Sequence, residues 1–196
     1  MDDKLQKIWA HVTTAFRQSG SHGLDHVMRV TRLCEIIGKS EHADMRVLIP
    51  AALFHDIARS REETYGVPHE EEGAVMAEAY LASIQYDASL IPEIAHTIRT
   101  HRYRSARKPE TLEAQILSDA DKLDAMGATG LARTFMQSGE QQRDIQDSLD
   151  HIDEKLLNLK DLMYTKSARD IAMIRHEVLV RFVESLREEM ALTDQK

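Results

Sequence analysis

The chain has 196 residues, which is the length of one ordinary globular domain. Hydrophobic residues make up 42% and charged residues 30%, so general disorder is excluded, and the scarcity of Gly (8) and Pro (4) argues against a β-sandwich or barrel. A formal net charge of −8 argues against binding to nucleic acid or an anionic membrane, and the single cysteine, Cys34, excludes an intramolecular disulfide and a Cys-rich zinc module.

Apolar residues recur at three- and four-residue spacing along almost the whole chain, which predicts an all-α fold. The predicted helices cover, in chain order, about residues 5–19, 24–38, 42–57, 69–85, 88–102, 111–126, 128–138, 145–163 and 167–190. The third is apolar almost all round from Val47 onward and is expected at the centre of the core. The polar stretch from Arg59 to Pro68 is predicted to be a loop.

These elements are expected to form a single domain over residues 1–196. Its core is predicted over about residues 20–135, with a C-terminal helical extension over about residues 140–196 packing on it. No apolar run approaches the roughly 18 residues of a membrane span. No secretory signal is recognisable near Met1, so we expect a cytoplasmic protein.

Two histidines and an aspartate lie inside the apolar stripes of their helices. His26 lies on the same helical face as Val30 and Ile37, while His55 and Asp56 end the most apolar helix of the chain. A buried carboxylate is costly unless a cation or several hydrogen-bond donors compensate it. Beside a buried histidine, a divalent metal ion is the economical cation. The alternative is that the histidine bonds a backbone carbonyl and the aspartate caps the following loop.

A third polar cluster, in the segment 118–124, contains three carboxylates within one predicted helix. Helical geometry puts Asp124 nearest the centre of the apolar face and Asp119 and Asp121 toward its flanks. Periodicity therefore leaves open which of the three aspartates reaches inward.

Taken in order, these residues resemble the HD superfamily of metal-dependent phosphohydrolases. The segment Gly23 to Val30 resembles the opening motif of the family, and Leu53 to Ile57, which contains the His-Asp doublet, resembles the motif that names it. Asp121, in Ala-Asp-Lys, resembles the distal aspartate. The resemblance spans about residues 20–135 and implies a compact helical HD-domain fold. The C-terminal helices are similar to those of small stand-alone members.

The resemblance implies four ligands for one divalent ion: His26, His55, Asp56 and Asp121. Nitrogen and oxygen donors of this kind suit Mn, Fe, Zn, Co or Ni, and Mg less naturally. His69 and His101 resemble extra ligands of dinuclear members, in which case Asp56 would bridge two ions. The alternative is that these two histidines contact the phosphates of the substrate around a single ion.

Five further side chains are candidates for contact with the substrate. Lys122 follows the distal aspartate and is a candidate catalytic charge stabiliser, beside Asp56; a surface lysine is the alternative. His22 is a candidate for substrate contact, with an exposed loop histidine as the alternative. Arg104 and Arg107 belong to the one dense basic segment of the chain, residues 102–108, which we expect to attract phosphorylated substrate unless it is only a solvated loop. Arg59 is a weaker candidate for the same role.

The sequence therefore predicts a metal-dependent phosphohydrolase that cleaves a phosphoester or phosphoanhydride bond with metal-activated water. The expected substrate is a small phosphorylated metabolite, with nucleotides as the leading class, and the protein is expected to be a monomer or homodimer. One alternative is a mixed-valent di-iron oxygenase of the HD type. The other is a non-catalytic HD module that senses nucleotides.

Overall fold

All secondary structure in the computed structural model is helical within the residues it describes, which are 3–16, 23–103 and 107–193. The prediction of an all-α fold is confirmed. The chain forms two compact units, a first unit up to Asp121 and a second unit from Lys122 onward. Within the described ranges, no helix has both the length and the hydrophobicity needed to span a membrane.

The first unit is built around its third helix. Its helices are α1 (Asp3–Ala15), α2 (Leu24–Glu41), α3 (Met45–Phe54), α4 (Arg59–Tyr65), α5 (His69–Ser83), α6 (Ile91–Arg99) and most of α7 (Leu112–Asp124). Helix α3 packs against α1, α2, α5 and α6, and the side chains from Ala51 to Phe54 are all buried. The central position that its apolar sequence predicts is therefore confirmed.

A proline inside α3 shows how a neighbouring segment supports this central helix. Pro50 has no N–H group, so the carbonyl of Arg46 lacks the usual helical donor four residues later. The hydroxyl group of Tyr86 donates to that carbonyl at 2.7 Å. A side chain forty residues away thus replaces the backbone hydrogen bond that proline removes.

Helix α4 lies in the segment predicted to be a loop, and the loop prediction is wrong there. The residues of Arg59–Tyr65 are mostly arginine and glutamate, which are good helix formers. Gly66 ends the helix in the left-handed conformation, with φ 71°, and its N–H donates to the carbonyl of Glu62. The polar residues of this segment form a short helix at the surface, and Gly66 and Pro68 mark where it ends.

The second unit contains α8 (Gly127–Glu140), α9 (Ile145–Glu154), a 3-10 helix (Leu156–Leu162) and α10 (Lys166–Thr193). The single helix predicted over 145–163 is therefore two elements. The side-chain amide of Asn158 donates to the carbonyls of Asp153 and Glu154, so it satisfies the last carbonyls of α9. That local capping ends α9 without interrupting the apolar periodicity from which the helix was predicted.

Replacing Tyr86 with Phe removes the donor to the Arg46 carbonyl. We expect the free energy of unfolding to fall by about 0.5–1 kcal/mol, because the carbonyl loses its hydrogen-bond partner. Urea denaturation followed by circular dichroism measures this. Tyr65→Phe is the matched control, because the Tyr65 side chain is 76% exposed and should contribute nothing measurable.

A Pro50→Ala background sharpens the test, because residue 50 then regains an N–H group for the Arg46 carbonyl. Tyr86→Phe should cost less in that background than in the wild type. An equal cost in both backgrounds would show that the tyrosine does not compensate for the proline.

Candidate metal centre

Helix ends bring the six predicted ligands together within the first unit. They are His26 on α2, His55 and Asp56 directly after α3, His69 at the start of α5, His101 two residues after α6, and Asp121 on α7. All are buried except Asp121, whose side chain is 29% exposed. The described residues contain three groups of ligand atoms that could each hold a metal ion, and the six predicted ligands make up two of them.

The first cluster consists of His26, His55 and Asp121, together with one oxygen of Asp56. The Nε2 atoms of His26 and His55 lie 3.2 Å apart. Nε2 of His26 also lies 3.4 Å from Oδ1 of Asp121 and 3.5 Å from Oδ2 of Asp56. Nε2 of His55 is 3.8 Å from the same Asp56 oxygen.

The second cluster uses the other oxygen of Asp56. Oδ1 lies 3.2 Å from Nε2 of His69 and 3.7 Å from Nε2 of His101. The two imidazoles face each other, with 3.4 Å between their Nε2 atoms. The Asp56 carboxylate therefore joins the two clusters, one oxygen to each.

The opposite ring nitrogens of His55 and His101 are fixed by backbone carbonyls. Nδ1 of His55 donates to the carbonyl of Ala52 at 2.7 Å, and Nδ1 of His101 donates to that of Ile98 at 2.7 Å. A carbonyl oxygen can only accept, so the proton of each neutral ring is on Nδ1 and Nε2 carries a lone pair. Both histidines thereby present a metal-ligating nitrogen to their cluster.

The arrangement of donor atoms fits a divalent cation. Facing lone pairs and a buried carboxylate repel one another unless a positive charge lies among them. Two atoms bound to one ion at about 2.1 Å lie about 3.0 Å apart at adjacent octahedral positions and about 3.4 Å apart in a tetrahedron. Most of the separations within the two clusters are close to these values, and the longest are 3.7 and 3.8 Å.

The protonation equilibria also show a site that attracts positive charge. Burial lowers the pKa of His55 to about 4, so this ring is neutral at pH 7. Burial alone would raise the pKa of Asp56, but the electrostatic interaction with His55 and hydrogen bonds from the other imidazoles hold that pKa well below its usual range. Hydrogen bonding to His26 likewise outweighs burial and lowers the pKa of Asp121. Burial would lower the pKa of His101, yet the two carboxylates raise it.

The structure also separates the three aspartates that periodicity left open. Asp121 is the one whose carboxylate faces His26. Asp124, at the centre of the apolar face, is buried and accepts from Arg133 at 2.8 Å. Asp119 is buried but belongs to neither cluster within the described part of the chain. Asp119 and Asp124 are therefore buried outside the two clusters, and Asp124 is paired with Arg133.

The predicted substrate-contacting arginines lie in different surroundings. Arg59 approaches the second cluster: its Nη1 lies 3.0 Å from Nδ1 of His69 and 3.1 Å from a carboxylate oxygen of Glu62. Arg107 is largely exposed and pairs with Glu71 at 3.2 Å. Of the two, Arg59 is placed beside the candidate ligands.

Lys122, the predicted charge stabiliser, is buried. Its Nζ lies 4.7 Å from the centre of the Tyr164 ring, in a cation–π contact within the second unit. This placement rules out the alternative of a surface lysine, and its catalytic role stays a prediction. His22 and Arg104 lie outside the described residues.

An ion-pair network beside His69 was missed by the sequence analysis. Nδ1 of His69 donates to Glu62 at 2.7 Å, and Arg102 pairs with both Glu62 and Glu70, at 2.7 and 3.2 Å. A helical interpretation of residues 59–65 would have placed Arg59 and Glu62 on one face, three residues apart. The loop interpretation removed that signal.

Comparison with known proteins identifies the family. The sequence model that defines the HD domain family matches residues 23–126, and this range includes all six candidate ligands. The chain belongs to the HD domain family. This confirms the resemblance inferred from the sequence motifs.

Similar proteins match the HD-domain chain over almost its whole length. The YpgQ protein of Bacillus subtilis (strain 168) is 33% identical over 183 residues, covering 88% of this chain and 86% of YpgQ. The crystal structure of YpgQ in complex with ADP has a TM-score of 0.79 at 29% identity, covering 94% of this chain and 96% of that one. A predicted HD superfamily hydrolase from an uncultured Thermotogales bacterium has a TM-score of 0.74 at 32% identity, covering 95% and 92%.

Replacing His101 with Ala removes one imidazole of the second cluster. If that cluster holds an ion, the Mn²⁺ content of the loaded and desalted protein should fall by about one ion per chain. Inductively coupled plasma mass spectrometry measures the content. His96→Ala is the control, because Nε2 of His96 accepts from the backbone N–H of Glu110 at 3.4 Å. Equal metal contents in the two variants would contradict the assignment of His101.

Proposed function

We propose that this protein is a metal-dependent phosphohydrolase that cleaves a phosphoester or phosphoanhydride bond of a small phosphorylated metabolite, with nucleotides as the substrate class. The observation that carries the proposal is the pair of imidazole–carboxylate clusters joined through Asp56. The nucleotide class is supported by the ADP complex of YpgQ, and hydrolysis by the Thermotogales relative described as a hydrolase.

Each cluster supplies ligands for one ion in this proposal. His26, His55 and Asp121 would hold the first, and His69 and His101 the second, with Asp56 shared. A bound divalent ion lowers the pKa of its water and neutralises phosphate charge, which is what hydrolysis at a phosphorus centre requires. The two oxygens of Asp56 support two ions rather than one, because each faces a different pair of imidazoles.

Arg59 is the side chain best placed to bind a substrate phosphate. A guanidinium group is planar and presents several N–H donors, which matches the oxygens of a phosphate group. The side chain is 24% exposed, so part of it is open to a ligand while Nη1 contacts His69 and Glu62. We assign it the role of orienting the phosphate at the second cluster.

A screen of the metal-loaded protein tests the reaction class. Nucleoside mono-, di- and triphosphates and simple phosphate esters are incubated with the Mn²⁺ form, and released phosphate and pyrophosphate are measured. Activity with nucleotides that exceeds activity with the simple esters supports the substrate class, and activity with the esters alone contradicts it.

Asp56→Asn replaces the shared carboxylate with an amide of the same size. We expect phosphate release to fall by more than about 100-fold, because losing even an outer hydrogen-bond partner of a metal ligand costs about 10- to 100-fold. Asp170→Asn is the control, since Asp170 is 67% exposed and pairs with Lys166 in the second unit. Comparable rates in the two variants would overturn the role of Asp56.

Two outcomes of the same experiments would replace the proposed reaction. Iron content with oxygen consumption and no phosphate release would indicate an oxygenase. Binding of ADP without turnover in any of the Mn²⁺, Fe²⁺, Zn²⁺, Co²⁺, Ni²⁺ or Mg²⁺ forms would indicate a nucleotide sensor.

Arg59→Ala should raise the KM for the phosphorylated substrate by about tenfold or more, because a hydrogen bond to a charged group is worth about 1.5–3 kcal/mol. Steady-state kinetics of phosphate release measures the change. Arg61→Ala is the matched control on the same helix, because Arg61 pairs with Glu72. An equal effect of both variants on KM would indicate a general charge effect instead of a phosphate contact.

A further inference from the structure

His69 differs from His55 and His101 in the group that fixes its Nδ1 atom. The latter two donate to backbone carbonyls, whereas Nδ1 of His69 donates to the carboxylate of Glu62 at 2.7 Å. Arg59 also contacts this nitrogen, but a guanidinium is only a donor. The consistent assignment is therefore that Arg59 and His69 both donate to Oε2 of Glu62.

Glu62 is itself held from two sides. Its Oε2 accepts from Arg59 at 3.1 Å, and its Oε1 accepts from Arg102 at 2.7 Å. Glu70 also accepts from Arg102, at 3.2 Å, and lies 3.4 Å from Nδ1 of His69. With both of its oxygens already occupied by donors, Glu62 acts on His69 and does not form a third metal site with Glu70.

A carboxylate fixes an imidazole more strongly than a carbonyl does. It places the proton on Nδ1, leaves the lone pair on Nε2, and makes that nitrogen a more basic ligand. In this chain Nε2 of His69 faces Oδ1 of Asp56 and Nε2 of His101. The effect of Glu62 should therefore reach the second cluster and leave the first cluster, which lacks His69, unchanged.

We propose that Glu62 is a positioning residue that sets the ion affinity of the second cluster through its hydrogen bond to His69. The inference rests on the proposed two-ion centre. It assigns a task to α4, the helix that the loop prediction missed, since α4 carries both Glu62 and Arg59. In this proposal a side-chain carboxylate fixes one histidine of the second cluster, so a change at Glu62 acts directly on that cluster.

Titration of the full-length, metal-depleted protein with Mn²⁺ by isothermal calorimetry tests this proposal. The wild type should bind two ions, and His69→Ala identifies which binding event belongs to the second cluster. Glu62→Ala should weaken that event by about 10- to 100-fold and leave the other unchanged. Glu62→Gln should fall between, because its amide oxygen still accepts from His69 without the negative charge.

Glu63→Ala is the matched control on the same helix. Glu63 is exposed and has no ion-pair partner among the described residues, so both binding events should match the wild type. Thermal unfolding followed by circular dichroism checks that each variant is folded. Glu62→Gln keeps the side-chain volume, so it provides the test should Glu62→Ala not fold.

The possible outcomes separate this inference from the proposed function. Two ions in the wild type and an unchanged second event in Glu62→Gln and Glu62→Ala would overturn the role of Glu62 alone. Equal weakening of both events would also overturn it, because the effect would not be confined to His69. A single ion in the wild type, with uptake unaffected by His69→Ala, would overturn the two-ion centre itself.

Discussion

A buried carboxylate imposes the main constraint on the first unit. Asp56 is 3% exposed and remains ionised, although burial by itself favours its neutral form. Four imidazoles surround its two oxygens at 3.2–3.8 Å. Burying an ionised carboxylate in this way is costly unless a positive charge lies close to it. The same buried carboxylate therefore affects the stability of the first unit and supplies a ligand for the metal-dependent hydrolysis that we propose.

The ends of helices fix the orientation of most of the candidate ligand side chains. His55 and His101 follow the last residues of α3 and α6, where a ring can bond a carbonyl of its own final turn. This contact fixes each tautomer with no other side chain. His69 is the first residue of α5, so no earlier turn of its own helix offers a carbonyl to its ring. Its Nδ1 donates to the carboxylate of Glu62 instead. Backbone carbonyls thus fix His55 in the first cluster and His101 in the second, and an ion-pair network fixes His69 in the second.

Most arginines near the second cluster are already paired with acidic side chains, and they differ in how close they lie to its histidines. Arg102 is committed to Glu62 and Glu70, and Arg107 to Glu71. The basic segment that the sequence analysis identified is therefore partly neutralised by acidic side chains of α4 and α5. Arg59, the weaker candidate by sequence, lies directly beside His69.

The sequence by itself determined the helical class, the central position of α3 and the polar residues that occupy buried positions. Helical periodicity carries this information because it reports which positions face the interior. The tertiary structure alone decided which aspartate faces His26, since periodicity places Asp119, Asp121 and Asp124 at the centre or flanks of one apolar face and does not identify their partners. It also decided that α4 is a helix and that Glu62 contacts His69, because these depend on contacts between separate elements. Periodicity reports burial, and the identity of a partner is fixed only when helices pack.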